Sequence, residues 1–226
     1  MARDSEDVAL ALALRTRVNL ALHHLFAACR GCAVIGSIEA AHSGEVYGPF
    51  WDEILHNALS VAALSVAALE TYANQLYRDG VLERTGVTTA ASEEIVALVD
   101  REQILSKYSL ILSFSKDARL DRGATPVQNA DALIKLRNAV IHFQPEWFDS
   151  QDKHEKLSRI LAYKFQPSPF LRAEPVFPRA WASHSFAVWA LTATVSFIDY
   201  FHAQIGTESF LAKWRARISE LSAGAL

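Results

Sequence analysis

Apolar residues recur at three- and four-residue spacing from one end of the 226-residue chain to the other, and no stretch sustains the alternation of a half-buried strand. Gly, Pro and short polar runs fall between the periodic segments rather than within them, Gly31 and Gly36 excepted. A chain patterned this way is expected to be all-α, because each helix carries an apolar stripe that another helix must cover. The first helix is expected to open at Ser5 as N-cap, with Glu6 and Asp7 in its first turn, and to run to about Ala41. A kink or break is expected at Gly31 and Gly36. The second starts at Pro49 and runs to Asp79, with Gly80 as its stop. Leu59, Ala63, Val66, Glu70, Ala73 and Tyr77 share one of its faces, and its apolar middle marks it as the centre of the bundle.

Helical pieces follow at 92–99 and 101–115, then a polar linker at 116–124. Thr125 is the expected cap of the next helix, with Pro126 in first position and Gln128 closing a capping box. That helix ends near Phe143, because Pro145 holds Gln144 extended. A charged helix at 149–165 precedes a connection, 167–178, that holds four of the seven prolines. An aromatic helix at 179–205 is stopped by Gly206, and Thr207 is the expected cap of a last helix reaching about 221. The whole, 1–226, reads as a single domain.

Over half the residues are hydrophobic, with five Trp and twelve Phe, so the chain can bury a sizeable core without metals or disulfides. Two cysteines exclude a disulfide scaffold. A formal net charge of −3 excludes a protein-wide basic field, and any nucleic-acid contact would be a local patch. The polar, acidic start is unlike a secretory leader, and the apolar runs 58–69 and 186–198 fall short of the roughly 20 residues a bilayer requires. The expectation is a soluble, cytoplasmic protein with no membrane partner. No Gly-rich phosphate loop, nucleophile elbow or paired metal-ligand motif occurs, so no cofactor and no metal are expected.

One short run carries the chemistry. Residues four apart share a helix face, so Asp131, Lys135, Asn138 and His142 form a polar stripe beside the apolar Leu133, Leu136 and Val140. Histidine titrates nearest neutrality of all side chains, and His142 is the one on this stripe. A histidine beside two cations and an amide suits acid–base work on a phosphodiester, and Arg137 can grip phosphate oxygens bidentately. Arg137 can equally be a structural ion-pair residue, and His142 a cap at a helix C-terminus.

The run Leu136-Arg137-Asn138-Ala139-Val140-Ile141-His142 resembles the motif of the HEPN superfamily: Arg, a polar residue, then His after a few more. Ala68-Leu69-Glu70-Thr71-Tyr72-Ala73-Asn74 looks like the acid-bearing central helix of several HEPN groups. The resemblance covers about 49–165, a HEPN-like core with helical extensions on either side. It implies a helical bundle that works as a homodimer, and a metal-independent endoribonuclease of a toxin–antitoxin or antiviral system, with RNA as substrate and an antitoxin or other partner protein. By carry-over, His142 would activate the 2′-hydroxyl or protonate the leaving oxygen. Arg137 would stabilise the phosphorane, and Asn138 would orient His142 or the phosphate. Glu70, Asn74 and Lys135 would support them. Some HEPN toxins carry Tyr two places after the His; here Gln144 stands there, so a mechanism needing that Tyr does not transfer. The alternative is a non-catalytic HEPN-fold module that binds protein or nucleotide.

Glu70 lies on the most apolar helix and needs a partner, for which Arg137 is the expected cation. Lys153, Lys156 and Arg159 stand in a segment richer in cations than anions, either the flank of an RNA groove or an ordinary solvated face. Cys29 and Cys32 form a C-x-x-C with no second ligand pair, read as buried apolar residues that bind no metal. Trp181, Phe186, Trp189, Phe197, Tyr200 and Phe201 read as core.

Overall fold

A computed structural model of the chain describes residues 20–145, 152–223 and 226. The described residues form eight α-helices and no strand: α1 Leu20–Ala41, α2 Phe50–Arg78, α3 Thr89–Val99, α4 Ile104–Lys116, α5 Thr125–Ile141, α6 Asp152–Leu161, α7 His184–Ile205 and α8 Arg215–Leu221. The expected cap at Ser5 and the start of the charged helix at 149 lie outside the described residues.

Helix α2 is the centre. Its buried residues run from Trp51 to Tyr77: Ala58, Val61, Ala62, Ser65, Ala68 and Leu69 fall on one face at three- and four-residue spacing, and Val66, Ala73 and Tyr77 widen that face. Around it pack α1, α7, α5 and α4, and α7 also packs on α1 and α5. Tyr108 of α4 locks this layer together. It is fully buried, donates its hydroxyl to the Leu69 carbonyl at 2.7 Å, and meets Phe197 and Phe201 of α7 edge-on.

No break interrupts α1 at either glycine. Both glycines instead permit close approach. A Cβ on Gly31 would sit 3.0 Å from Val61 Cγ2 of α2, and one on Gly36 would sit 2.9 Å from His184 Nε2 of α7. Other boundaries also shift for physical reasons. Ala124, not Thr125, is the N-cap of α5, and its carbonyl takes the amides of Val127 and Gln128. The aromatic helix begins at His184, after an irregular segment at Val176–Ala180 in which Phe177 is extended, at φ −111° and ψ 137°. There Ser183 Oγ accepts from Phe186 N, and the Glu39 carboxylate of α1 accepts from His184 N at 2.8 Å. Burial pushes the Glu39 carboxyl up, and the His184 amide partly offsets it. Thr207 does not cap α8: its hydroxyl holds His202 Nδ1 at 2.7 Å, while Tyr72 Oη meets His202 Nε2 at 2.6 Å.

Helices α1 and α2 are each long and apolar enough, by length and composition, to cross a membrane. The core helix of a soluble protein meets the same length and composition, so these two helices leave the expectation of no membrane partner as it stands. In the bundle, 44% of each apolar window is buried. Cys29 and Cys32 lie on the face of α1 turned to the core, free and fully buried. Burial pushes their thiols up, to about 12 and about 11, which opposes the thiolate that exchange or metal binding needs.

Candidate functional site

The run Arg137 to His142 occupies the last turn and a half of α5. Leu133 and Leu136 are fully buried and anchor the helix to the core, leaving Lys135, Asn138 and His142 exposed. Helix geometry puts side chains five apart about 140° apart around the axis. Arg137 and His142 accordingly open on different sides of α5, into two grooves that share Lys135 on their common rim.

The first groove, of about 350 Å³, lies between α5, α2 and the start of α4. Arg137 and Asn138 line it with Glu70, Glu102, Asp131 and Arg122. Arg137 Nη2 stands 3.6 Å from Glu70 Oε2, an ion pair with the two side chains 23% and 43% exposed. The expected contact is therefore made, at the mouth of a cavity rather than in the core. Arg137 Nε is buried and has no hydrogen-bond partner among the described residues. Lys135 is paired with Asp131 one turn before it, at 2.6 Å.

The supporting residue Asn74 and the expected catalytic residue Asn138 stand differently from expectation. Asn74 turns away from Arg137: its Oδ1 accepts from Lys107 Nζ at 2.8 Å. Lys107 is 1% exposed and also donates to the Asp100 carbonyl at 3.1 Å, so Asn74 satisfies a buried ammonium. Asn138 meets His142 through the main chain, where its carbonyl accepts the His142 amide at 2.9 Å. Among the described residues its side chain makes no hydrogen bond.

The second groove, of about 300 Å³, lies between the end of α5 and α6. His142, the C-cap residue of α5, borders it with Lys153, His154 and Lys156, over a floor of Ala139, Leu157, Ile160 and Phe177. Gln144 fastens α6 to this end of α5. Its carbonyl meets His154 Nε2 at 3.2 Å, and its Oε1 accepts from Lys153 Nζ at 2.9 Å. A carbonyl only accepts, so the proton of this bond sits on His154 Nε2. His154 is buried, stacked on Phe143 and edge-on to Phe177. Of the three basic residues singled out on α6, Lys153 and Lys156 line the groove. Arg159 does not; it is 71% exposed and pairs loosely with Glu155 at 3.9 Å.

Glu102, Arg122, His154 and Phe177 escaped the sequence reading. Arg122 lies in the polar linker, and Glu102, inside the expected helical piece 101–115, stands in the turn before α4 begins at Ile104. His154 had a signal, since it stands between the two lysines on a strongly amphipathic helix.

The geometry offers a half-buried guanidinium in one groove and a solvent-open imidazole over a second one lined by lysines. Among the described residues no group of three His, Cys, Asp or Glu side chains is placed to hold a metal ion. No protein-family model, curated protein or solved structure matches the chain.

Proposed function

We propose that the protein is a HEPN-like, metal-independent endoribonuclease acting as a homodimer, with His142, Arg137 and Asn138 as its working residues. The observation that carries the reading is the position of His142. It ends α5 in open solvent, beside lysines, where a phosphodiester can reach its imidazole. In this reading the 2′-oxygen loses its proton to one His142 and attacks phosphorus. The bond to the 5′-oxygen breaks as a second histidine, His142 of the other copy, protonates it. Arg137 neutralises the non-bridging oxygens. Exposed Ile141 and Phe143 flank His142 and offer apolar contact to a second copy.

The test is RNA cleavage in EDTA. Wild type is expected to leave 2′,3′-cyclic phosphate ends. His142→Ala is expected to leave RNA intact and to unfold at the wild-type temperature, because an exposed side chain contributes little to stability. Equal inertness of the two proteins on mixed single-stranded RNA would overturn the enzyme reading.

One observation favours a second reading, a non-catalytic module of the same fold that binds nucleotide or protein: within one chain Arg137 and His142 open into different grooves. A toxin–antitoxin or antiviral setting, with an antitoxin as partner, follows from the HEPN resemblance alone, and the proposed cytoplasmic address rests on the polar, acidic start and the short apolar runs.

A further inference from the structure

Resting on that ribonuclease reading, we propose that the groove between α5 and α6 seats one base of the single-stranded RNA, with the neighbouring phosphate held by Lys153 and Lys156. Two properties of the groove carry this. The first is charge. The groove beside Arg137 mixes Glu70, Glu102 and Asp131 with its cations, whereas among the described residues no carboxylate lines this one. Lys153 is bonded to a neutral amide oxygen, which leaves its charge intact, and Lys156 is exposed with no ion pair among the described residues. The groove is thus a cationic spot on a chain of formal net charge −3.

The second is the floor. A phosphate alone needs no apolar surface, yet Ala139, Leu157, Ile160 and Phe177 make one beneath the cations. A flat ring with an attached anion satisfies both halves, and about 300 Å³ has room for one base. Gln144 adds a reader. Its Oε1 is engaged by Lys153, which leaves the amide N–H groups to donate to a base carbonyl or ring nitrogen.

Fluorescence anisotropy with a labelled six-nucleotide 2′-O-methyl RNA, which cannot form a cyclic phosphate, tests this against an abasic strand of equal length. The base-bearing strand is expected to bind about tenfold more tightly. Ala139→Trp, which plugs the floor from a half-buried position, is expected to bring the two affinities together. Lys156→Ala is expected to weaken both strands by the same factor. Equal wild-type affinities for the two strands, or a full base preference in Ala139→Trp, would overturn the proposal. So would a free mononucleotide that displaces the strand at the strand's own affinity, since the site would then belong to a soluble nucleotide. Cleavage of unmodified RNA by wild type and His142→Ala reports separately on the nuclease reading. Should neither cleave while the base preference and its loss in Ala139→Trp persist, the groove stands as a base site and the nuclease reading falls.

Discussion

Arg137 keeps its guanidinium at a cavity mouth, within 3.6 Å of a carboxylate that is 43% exposed. Solvent screens such a pair, so Arg137→Ala is expected to cost about 1 kcal/mol or less in urea unfolding, well below the roughly 3–5 kcal/mol of a broken buried pair. Lys107 is the contrasting case. Its ammonium is enclosed and held by Asn74 and a carbonyl, so Lys107→Met is expected to lose roughly 1–3 kcal/mol by stranding those acceptors. His202 supplies a pH signature. Burial lowers its pKa below the ordinary 6.5, with Asp199 opposing. The fold therefore favours the neutral ring: the contribution is whole above 6.5 and is lost as pH falls from there through the lowered value. Urea midpoints at pH 7.5 and 5.5 are expected to differ more in wild type than in His202→Gln. Glu39 works in the opposite sense, since its carboxyl is raised, and the comparison with the variant removes its share. Arg137, Glu70 and His142 were legible because residue type and helical spacing mark them. The task of Asn74 was not, because its partner lies 33 residues away on another helix.

Among the elements, α2 shows how much patterning alone can say: a helix apolar on most sides has nowhere to go but the middle. The glycines of α1 show where patterning stops. Glycine in a helix reads as a weak point in sequence, whereas Gly31 is a contact, with Val61 Cγ2 lying 3.0 Å from where a Cβ would be. Gly31→Ala is expected to be near neutral, helix propensity offsetting the crowding, while Gly31→Leu is expected to wedge α1 from α2 and cost about 1–3 kcal/mol by thermal unfolding. Helix starts were misread at Thr125 and Thr207 because both threonines suit a cap. The Thr207 hydroxyl is taken by His202, and at Thr125 the helix simply starts one residue earlier, with Ala124 as its cap. The α5–α6 groove was half legible: Lys153 and Lys156 follow from composition, but Phe177 reaches it from across the proline-rich connection.

For the molecule as a whole, local stability should follow enclosure. Helix α3 has only Ser92 and Val99 buried and leaves Leu98 74% exposed, whereas α2 and α7 are buried along most of their length. Amide exchange is expected to be fastest in α3 and slowest in the middle of α2 and α7. The cap that Glu39 lends to His184 joins residues 145 apart in the chain. On a ribosome, α1 and α2 emerge before α7, and the helix that covers them begins roughly a hundred residues after α2 ends. At about 5–20 residues per second, that is a wait of roughly five to twenty seconds. Two helices with the apolarity of membrane spans stand without α7 for that interval, and during it they are the part of the nascent chain that holding chaperones and membrane-targeting factors can read.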